Sequence, residues 1–147
     1  MNINEGIKIK GHVKITSIDE ATGEVEVIES DNLIVTAGYD LLASVLIGAA
    51  SISYCGVGSG STAAAADDTD LETAVGARKP ITTATRAGAI ALFSTFFSSA
   101  ENNGTWNEAI LATGISGENI ISRAVFSTPY LKTNLKKCTL DWNYTLT

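Results

Sequence analysis

The sequence has few of the residues on which catalytic, redox and metal sites are usually built. Its 147 residues include one histidine, two cysteines and two prolines. The histidine, His12, lies in a strand pattern between Gly11 and Val13, and we interpret it as a surface strand residue. A Ser-His-Asp triad would need His12, and no serine has the Gly-x-Ser-x-Gly surroundings of a nucleophile elbow. The sequence therefore predicts a protein that is not an enzyme, with no catalytic residues.

Charge is also scarce, and what there is has an acidic balance. Charged residues make up 18% of the chain, against a usual quarter, and the net charge is −6. A nucleic-acid partner or an anionic membrane surface attracts clustered lysine and arginine, so we expect neither as a partner. The low charged fraction leaves few groups to solvate the surface, which suggests that a partner covers part of it. The only small basic groups lie near the ends: Lys8, Lys10 and Lys14, then Lys132, Lys136 and Lys137.

Long apolar runs and paired cysteine motifs are missing as well. The longest apolar run, residues 87–97, is interrupted and too short to span a bilayer, and the first eleven residues have no apolar signal region. Cys55 and Cys138 match no metal or redox spacing. We interpret them as small buried residues of a protein made in a reducing cytoplasm, with a disulfide between them as the alternative.

Two segments invite a ligand-binding interpretation. The glycine-rich residues 56–60 have no lysine where a phosphate-binding loop needs one, which favours a flexible loop. An acidic run follows, without the spacing or central glycine of a calcium-binding loop, so it is typical of a solvated loop. We therefore expect no cofactor and no metal. The acidic run consists of Asp67, Asp68, Asp70 and Glu72.

The hydrophobic pattern has mostly a period of two, which is typical of half-buried strands. Within residues 1–30, two alternating runs and a turn ending at Gly23 predict an N-terminal β-hairpin, with a bulge or bend at Gly11. Residues 39–47 change to helical spacing after a break at Gly38, and Gly48 is placed to end that helix. Residues 58–80 indicate a small-residue and acidic surface loop, with one helical turn after Asp70.

The second half of the chain predicts further strands. Asn103-Gly104 is a strong hairpin signal. The last segment alternates without interruption, and we predict that one face of it forms a core and assembly strand, whose residues are Leu140, Trp142, Tyr144 and Leu146. Residues 1–147 are thus predicted to form a single mainly β domain, an antiparallel β-sandwich of jelly-roll-like form with one short α-helix.

The sequence leaves alternatives open for three side chains. Glu108 is expected to form a structural ion pair across strands, with either Arg123 or Arg86. Trp106 and Trp142 suit either core packing or a carbohydrate platform, and core packing is the commoner use.

The order of these features resembles the small β-sandwich structural proteins, and the tail-fibre or baseplate domains, of tailed bacteriophages. The resemblance begins at residues 32–38, Asn-Leu-Ile-Val-Thr-Ala-Gly, and continues through the helix, residues 55–62 and residues 68–71. Asn103-Gly104 before residues 106–111, then residues 123–126, Lys132-Thr133 and the C-terminal strand complete it.

The resemblance implies a function in the virion. It implies a structural protein of the tail, baseplate, fibre or neck that is made in the bacterial cytoplasm. Its expected partners are other virion proteins and itself, as a homo-oligomer with a trimer as the favoured form. A capsid decoration protein, or a receptor-recognition module that binds a host glycan, is the alternative.

Overall fold

The computed structural model of the protein describes residues 6–147, which form nine β-strands and one α-helix. The prediction of a mainly β chain with one short helix is confirmed. The first five residues of the predicted domain, which are also the start of the predicted hairpin region, lie outside the described residues.

The elements follow one another along the chain with these bounds: β1 Ile9–Asp19, β2 Val25–Ile34, α1 Thr36–Leu46, β3 Tyr54–Gly58, β4 Lys79–Pro80, β5 Thr83–Ala87, β6 Ile90–Phe97, β7 Gly104–Ala112, β8 Ile120–Lys132 and β9 Lys136–Leu146.

The nine strands form one continuous antiparallel sheet in the order β4-β3-β7-β8-β2-β1-β9-β6-β5. Strand β2 joins its two halves, because its body pairs with β1 while Leu33 and Ile34 pair with β8. The halves face each other across the core: the ring centroids of Phe97 in β6 and Trp106 in β7 are 4.9 Å apart. The antiparallel sheet is therefore curled on itself, and the jelly-roll-like sandwich stays a prediction.

Strand β1 runs without interruption through Gly11, so the predicted bulge at this glycine is wrong. Gly11 pairs in regular register with Asn32 of β2 and Tyr144 of β9. A Cβ atom there would lie 1.7 Å from the Oδ1 atom of Asn32, so a larger residue at position 11 would require the Asn32 side chain to move.

Helix α1 starts at Thr36, three residues before the predicted position, so Gly38 lies inside the helix. The extended run before it ends at Ile34, close to the predicted break. A Cβ atom on Gly38 would lie 2.1 Å from the carbonyl oxygen of Ile121. The glycine therefore lets the first turn of the helix lie directly on the backbone of β8. The predicted stop is present: the helix ends at Leu46, and Gly48 has a positive φ of 76°.

The Asn103-Gly104 signal does not form a hairpin. Strand β6 pairs with β5 and β9, whereas β7 pairs with β3 and β8, so the segment between β6 and β7 crosses from one half of the sheet to the other. Its backbone turns at Asn102, which has a φ of 50°, and the indole N–H of Trp106 donates to the carbonyl of Asn102 at 2.8 Å. A local turn motif cannot specify which strands pair beyond it.

Strand β9 lies inside the sheet, paired with β1 on one side and β6 on the other. Leu140, Trp142 and Tyr144 are buried in the core. Leu146 is a correction to the predicted set, since 40% of it is exposed. It points to the same face, but it lies at the end of the sheet, where the core no longer covers it.

No helix among residues 6–147 combines the length and the hydropathy that crossing a membrane requires.

Two neighbouring residues of β9 test its register. Replacing Trp142 by alanine empties a fully buried site, and loss of an aromatic from a packed core costs about 3–5 kcal/mol. Because a typical domain has about 5–15 kcal/mol of stability, Trp142→Ala should give poorly soluble or unassembled protein. Asn143→Ala, on the opposite face, should have a small effect. Soluble yield and melting temperature measure both, and equal effects would contradict this register.

Candidate functional site

The side chain of Glu108, on β7, is fully buried and organises the acidic loop that follows β3. Its Oε1 atom accepts hydrogen bonds from the backbone N–H groups of Gly60, at 3.1 Å, and Thr73, at 2.9 Å. Its Oε2 atom accepts one from the N–H of Glu72, at 3.0 Å. Three backbone donors thus hold this carboxylate, and the loop residues are positioned by it.

The glycines of residues 56–60 allow this arrangement. A Cβ atom on Gly58 would lie 2.4 Å from the Oε1 atom of Glu108, and one on Gly60 would lie 2.7 Å from the same atom. The glycine-rich loop therefore has the close backbone approach that anion-binding loops use, and the anion that it surrounds is a carboxylate of the same chain.

Arg123, on β8, neutralises Glu108. The Arg123 Nε atom donates to Glu108 Oε2 at 2.8 Å, and its Nη1 atom donates to Asp68 Oδ2 at 3.0 Å. Of the two ion pairs predicted for Glu108, the one with Arg123 is the one formed. Arg86 is exposed on β5 and donates to the carbonyl of Gly88 at 3.1 Å.

The bonds of this cluster hold the acidic loop in place. Both atoms of the Glu108 carboxylate are engaged, and Glu108 is fully buried. Arg123 is 2% exposed, but it lines the pocket of the acidic loop, and its Nη2 atom has no hydrogen-bond partner among residues 6–147. Three residues of the predicted solvated acidic run are ion-paired: Asp68 with Arg123 at 3.0 Å, Asp70 with Arg78 at 3.0 Å, and Glu72 with Arg123 at 4.0 Å. The residues after Asp70 form no helical turn, which corrects that prediction.

No group of three or more potential metal-ligating side chains is found among residues 6–147. His12 is half-exposed on β1, with its ring nitrogens 3.2 Å from Asp31 and 3.3 Å from Glu29. Both cysteine thiols are free and buried. Burial raises the pKa of Cys55 to about 12 and that of Cys138 to about 11, so these thiols are unreactive at neutral pH.

A second polar cluster fixes the crossing between β6 and β7. The buried Lys132 Nζ atom donates to the carbonyls of Ser98, at 2.8 Å, and Glu101, at 2.9 Å, and to the side chain of Asn103 at 2.8 Å. Burial lowers the pKa of Lys132. Glu101 in turn pairs with Lys79, and that hydrogen bond lowers the pKa of Glu101 to about 2.

Neither tryptophan forms a carbohydrate platform. Trp106 and Trp142 are both without exposed surface. The Trp106 ring packs edge-on against Phe97 and Tyr130, with ring centroids 4.9 and 5.2 Å apart. Of the two interpretations of these residues, core packing is the one that the structure supports.

The most distinctive surface feature is an apolar groove of about 760 Å³ between α1 and the ends of the neighbouring strands. Helix α1 lies on β8 at Gly38 and packs on the core through Leu41 and Leu42, which are partly buried. The end of the helix projects into solvent, where Leu46 is 86% and Ile47 is 82% exposed. The groove is lined chiefly by Ile7, Ile9, Tyr39, Leu42, Val45, Leu46, Ile52, Phe93, Tyr144 and Leu146.

The helical stripe is predictable from the sequence, but the groove beside it is not. The helical spacing of Leu41, Leu42, Val45 and Leu46 is the signal that the sequence contains. This spacing predicts an apolar face on the helix. It does not predict that the sheet beneath this face ends before the helix ends. Tyr39, Ile7 and Leu146 have no pattern that marks them as groove residues.

Comparison of the chain with protein-family models, with curated proteins and with solved structures finds no match. Any assignment of function therefore rests on the residues of this chain and on their geometry.

The Glu108–Arg123 pair gives a test of the loop anchor. Glu108→Gln should destabilise the protein by about 1–3 kcal/mol, because the amide nitrogen cannot accept the hydrogen bonds of the carboxylate and Arg123 keeps only Asp68 as a hydrogen-bonded counter-charge. Glu118→Gln, at an exposed glutamate in a turn, is the matched control and should change stability little. Urea denaturation measures both. Proteolysis should also cut residues 59–73 faster in Glu108→Gln, and equal stability of the two variants would contradict the anchor.

The lowered pKa of Glu101 predicts an acid dependence of stability. A carboxyl group whose pKa is lower in the folded protein contributes stability above its unfolded value, about 4.5, and loses that contribution as the pH falls toward about 2. The melting temperatures of wild type and Glu101→Gln should therefore differ at pH 6 and converge near pH 2. A difference that stays constant across this range would show that Glu101 is not stabilised by Lys79.

Proposed function

We propose that this chain is a non-enzymatic structural protein of a bacteriophage particle. It acts as a homo-oligomeric component of the tail, baseplate, fibre or neck, is made in the bacterial cytoplasm, and assembles with itself and with other virion proteins. The observation that carries this proposal is the apolar groove beside α1. Exposed apolar patches of this kind occur at protein–protein, membrane and ligand contacts, and we assign this one to protein assembly.

The occupant of the groove is a second copy of the chain. The same surface has a concave part, the groove, and a convex apolar tip formed by Leu46 and Ile47. A surface with both shapes is complementary to another copy of itself, and closed symmetric assembly is the usual result for soluble homo-oligomers. A trimer is the expected form. The low charged fraction of 18% agrees with a chain that does not expose all of its surface.

The buried polar groups support a scaffold. Glu108 and Lys132 are bonded to other groups of the same chain, and Arg123 is held by Glu108 and Asp68, so these charges fix loops. A capsid decoration protein would use the same groove. A glycan-binding module has less support, because the two tryptophans that would serve as its platform are buried.

A charge at the tip of the helix tests the groove contact. Leu46→Glu should weaken self-association at least ten-fold, because it places a carboxylate in the apolar contact. It should hardly change the stability of the protomer, since Leu46 makes little contact in it. Sedimentation velocity at micromolar concentration should give a multiple of 15.3 kDa for the wild type and a lighter species for the variant.

Ile115→Glu is the matched control, because Ile115 is an exposed isoleucine in the turn between β7 and β8, away from the groove. It should associate like the wild type. A wild-type protein that sediments only as a monomer, without any added partner, would contradict the proposed self-association. Mass spectrometry of purified phage particles that carry this protein tests the virion assignment, since the chain should co-purify in a fixed ratio to the other virion proteins.

A further inference from the structure

The two edges of the curled sheet differ in how well they are protected from further pairing. At one edge, β4 has only two residues, and one of them is Pro80, which has no backbone N–H. At the other edge, β5 extends over five residues, Thr83–Ala87, without a proline or a lysine. Natural sheets usually shorten, charge or cover their edge strands, because an open edge pairs with another chain. The β4 edge is protected by its length and by Pro80, whereas the β5 edge has a single charge, Arg86, as its protection.

Strand β5 also gains little from the core. All five of its residues are exposed, on both faces of the strand. Within residues 6–147, its only strand partner is β6. A strand held on one side and buried on neither face has little to stabilise it in an isolated protomer. Pairing with another strand along its open side would supply the missing stabilisation of β5.

The turn after β5 shows which backbone groups point outward. Ala87 pairs with Ile90 across a two-residue turn, and residues that flank such a turn exchange both backbone hydrogen bonds. Along an antiparallel strand, the backbone N–H and C=O groups of successive residues point alternately to one side and to the other. Thr83 and Thr85 therefore also point these groups toward β6. Ala84 and Arg86 therefore direct their N–H and C=O groups away from the sheet.

We propose that β5 is an intersubunit strand, which pairs antiparallel with β5 of a second copy around a two-fold axis at Thr85. In this register Ala84 exchanges hydrogen bonds with the partner's Arg86, and Arg86 does so with the partner's Ala84. Thr85 faces the partner's Thr85, a favourable cross-strand pair. The two Arg86 side chains are diagonal neighbours on one face and are not directly opposite each other.

This contact is continuous with the apolar groove. Ala84 lies opposite Phe93 and Arg86 lies opposite Ala91 in the β5–β6 pair, and Phe93 and Ala91 both line the groove. Joining two β5 strands would therefore extend the floor of the groove from one copy into the next. The inference rests on the proposed self-association and specifies a two-fold axis for it. A two-fold contact gives a dimer, or joins two trimers.

Single cysteines test the register directly. In the pair proposed at Thr85, which is not hydrogen-bonded, the Cβ atoms would be about 4.5–5.5 Å apart, close enough for a disulfide after small adjustment. Mild oxidation of Thr85→Cys should give a covalent dimer on a non-reducing gel. The native Cys55 and Cys138 are buried and should give no background.

Neighbouring positions on the same face provide the controls. Two Thr83→Cys residues would be four positions apart, roughly 13 Å, and should not cross-link, and the same holds for Ala87→Cys. The double variant Thr83→Cys/Ala87→Cys should cross-link, because the register places each position opposite the other. Cross-linking of Thr83→Cys or Ala87→Cys alone, at the level of Thr85→Cys, would overturn the register.

A backbone variant tests the hydrogen bonds. Ala84→Pro removes an outward N–H without removing a bond to β6, and it should weaken association at least ten-fold while the melting temperature of the protomer stays close to that of wild type. Ala84→Val keeps the N–H and should associate like the wild type.

The outcomes separate this inference from the proposed function. If the wild type associates and Leu46→Glu weakens it, but Thr85→Cys does not cross-link and Ala84→Pro has no effect, the β5 contact is wrong and the proposed function stands. If Thr85→Cys cross-links and the assembly contains an even number of chains, the β5 contact is supported. A monomeric wild type that gives no cross-link overturns both.

Discussion

A carboxylate without access to water must find its hydrogen bonds and its counter-charge inside the protein, and Glu108 imposes this constraint on the fold. Arg123 on the next strand supplies the counter-charge, and the loop after β3 supplies three N–H donors. Gly58 and Gly60 follow from the same constraint, because only a residue without a side chain fits beside the carboxylate. One buried charge thus determines the path of a long segment that has no regular secondary structure.

Several charged residues are buried, so fewer charges remain on the outer surface of the chain. Glu108, Arg78, Arg123 and Lys132 are buried, and each forms bonds within the chain. In a chain with 18% charged residues, these groups are no longer free to solvate the exterior. Leu46, Ile47 and the apolar groove are exposed at the same time. The chain therefore has a polar interior network beside an apolar outer face, a distribution that agrees with the proposed self-association.

The sequence predicts those parts of the fold that depend on local periodicity. Alternation marks β1 and β9, and the change of period after the extended run marks α1, although the close contact of Gly38 with β8 has no signal in the sequence. Asn103-Gly104 predicts a turn correctly but a hairpin wrongly, because strand pairing depends on distant residues. The Glu108–Arg123 pair is one of two alternatives that the sequence allows. The groove depends on where the sheet ends beneath a helix, and Leu146 is exposed for the same reason.

The position of β9 affects the order in which this protein can fold. The N-terminal hairpin has a short turn and can form early, yet one side of β1 stays unpaired until β9 arrives. The register joins Ile9 to Leu146, so closing the sheet brings together residues from nearly opposite ends of the chain. Such a high contact order is typical of β proteins that fold in milliseconds to seconds, much more slowly than helical bundles. During that interval β1 is itself an open edge, and a nascent chain at high concentration is most exposed to pairing with the wrong neighbour before its last strand enters the sheet.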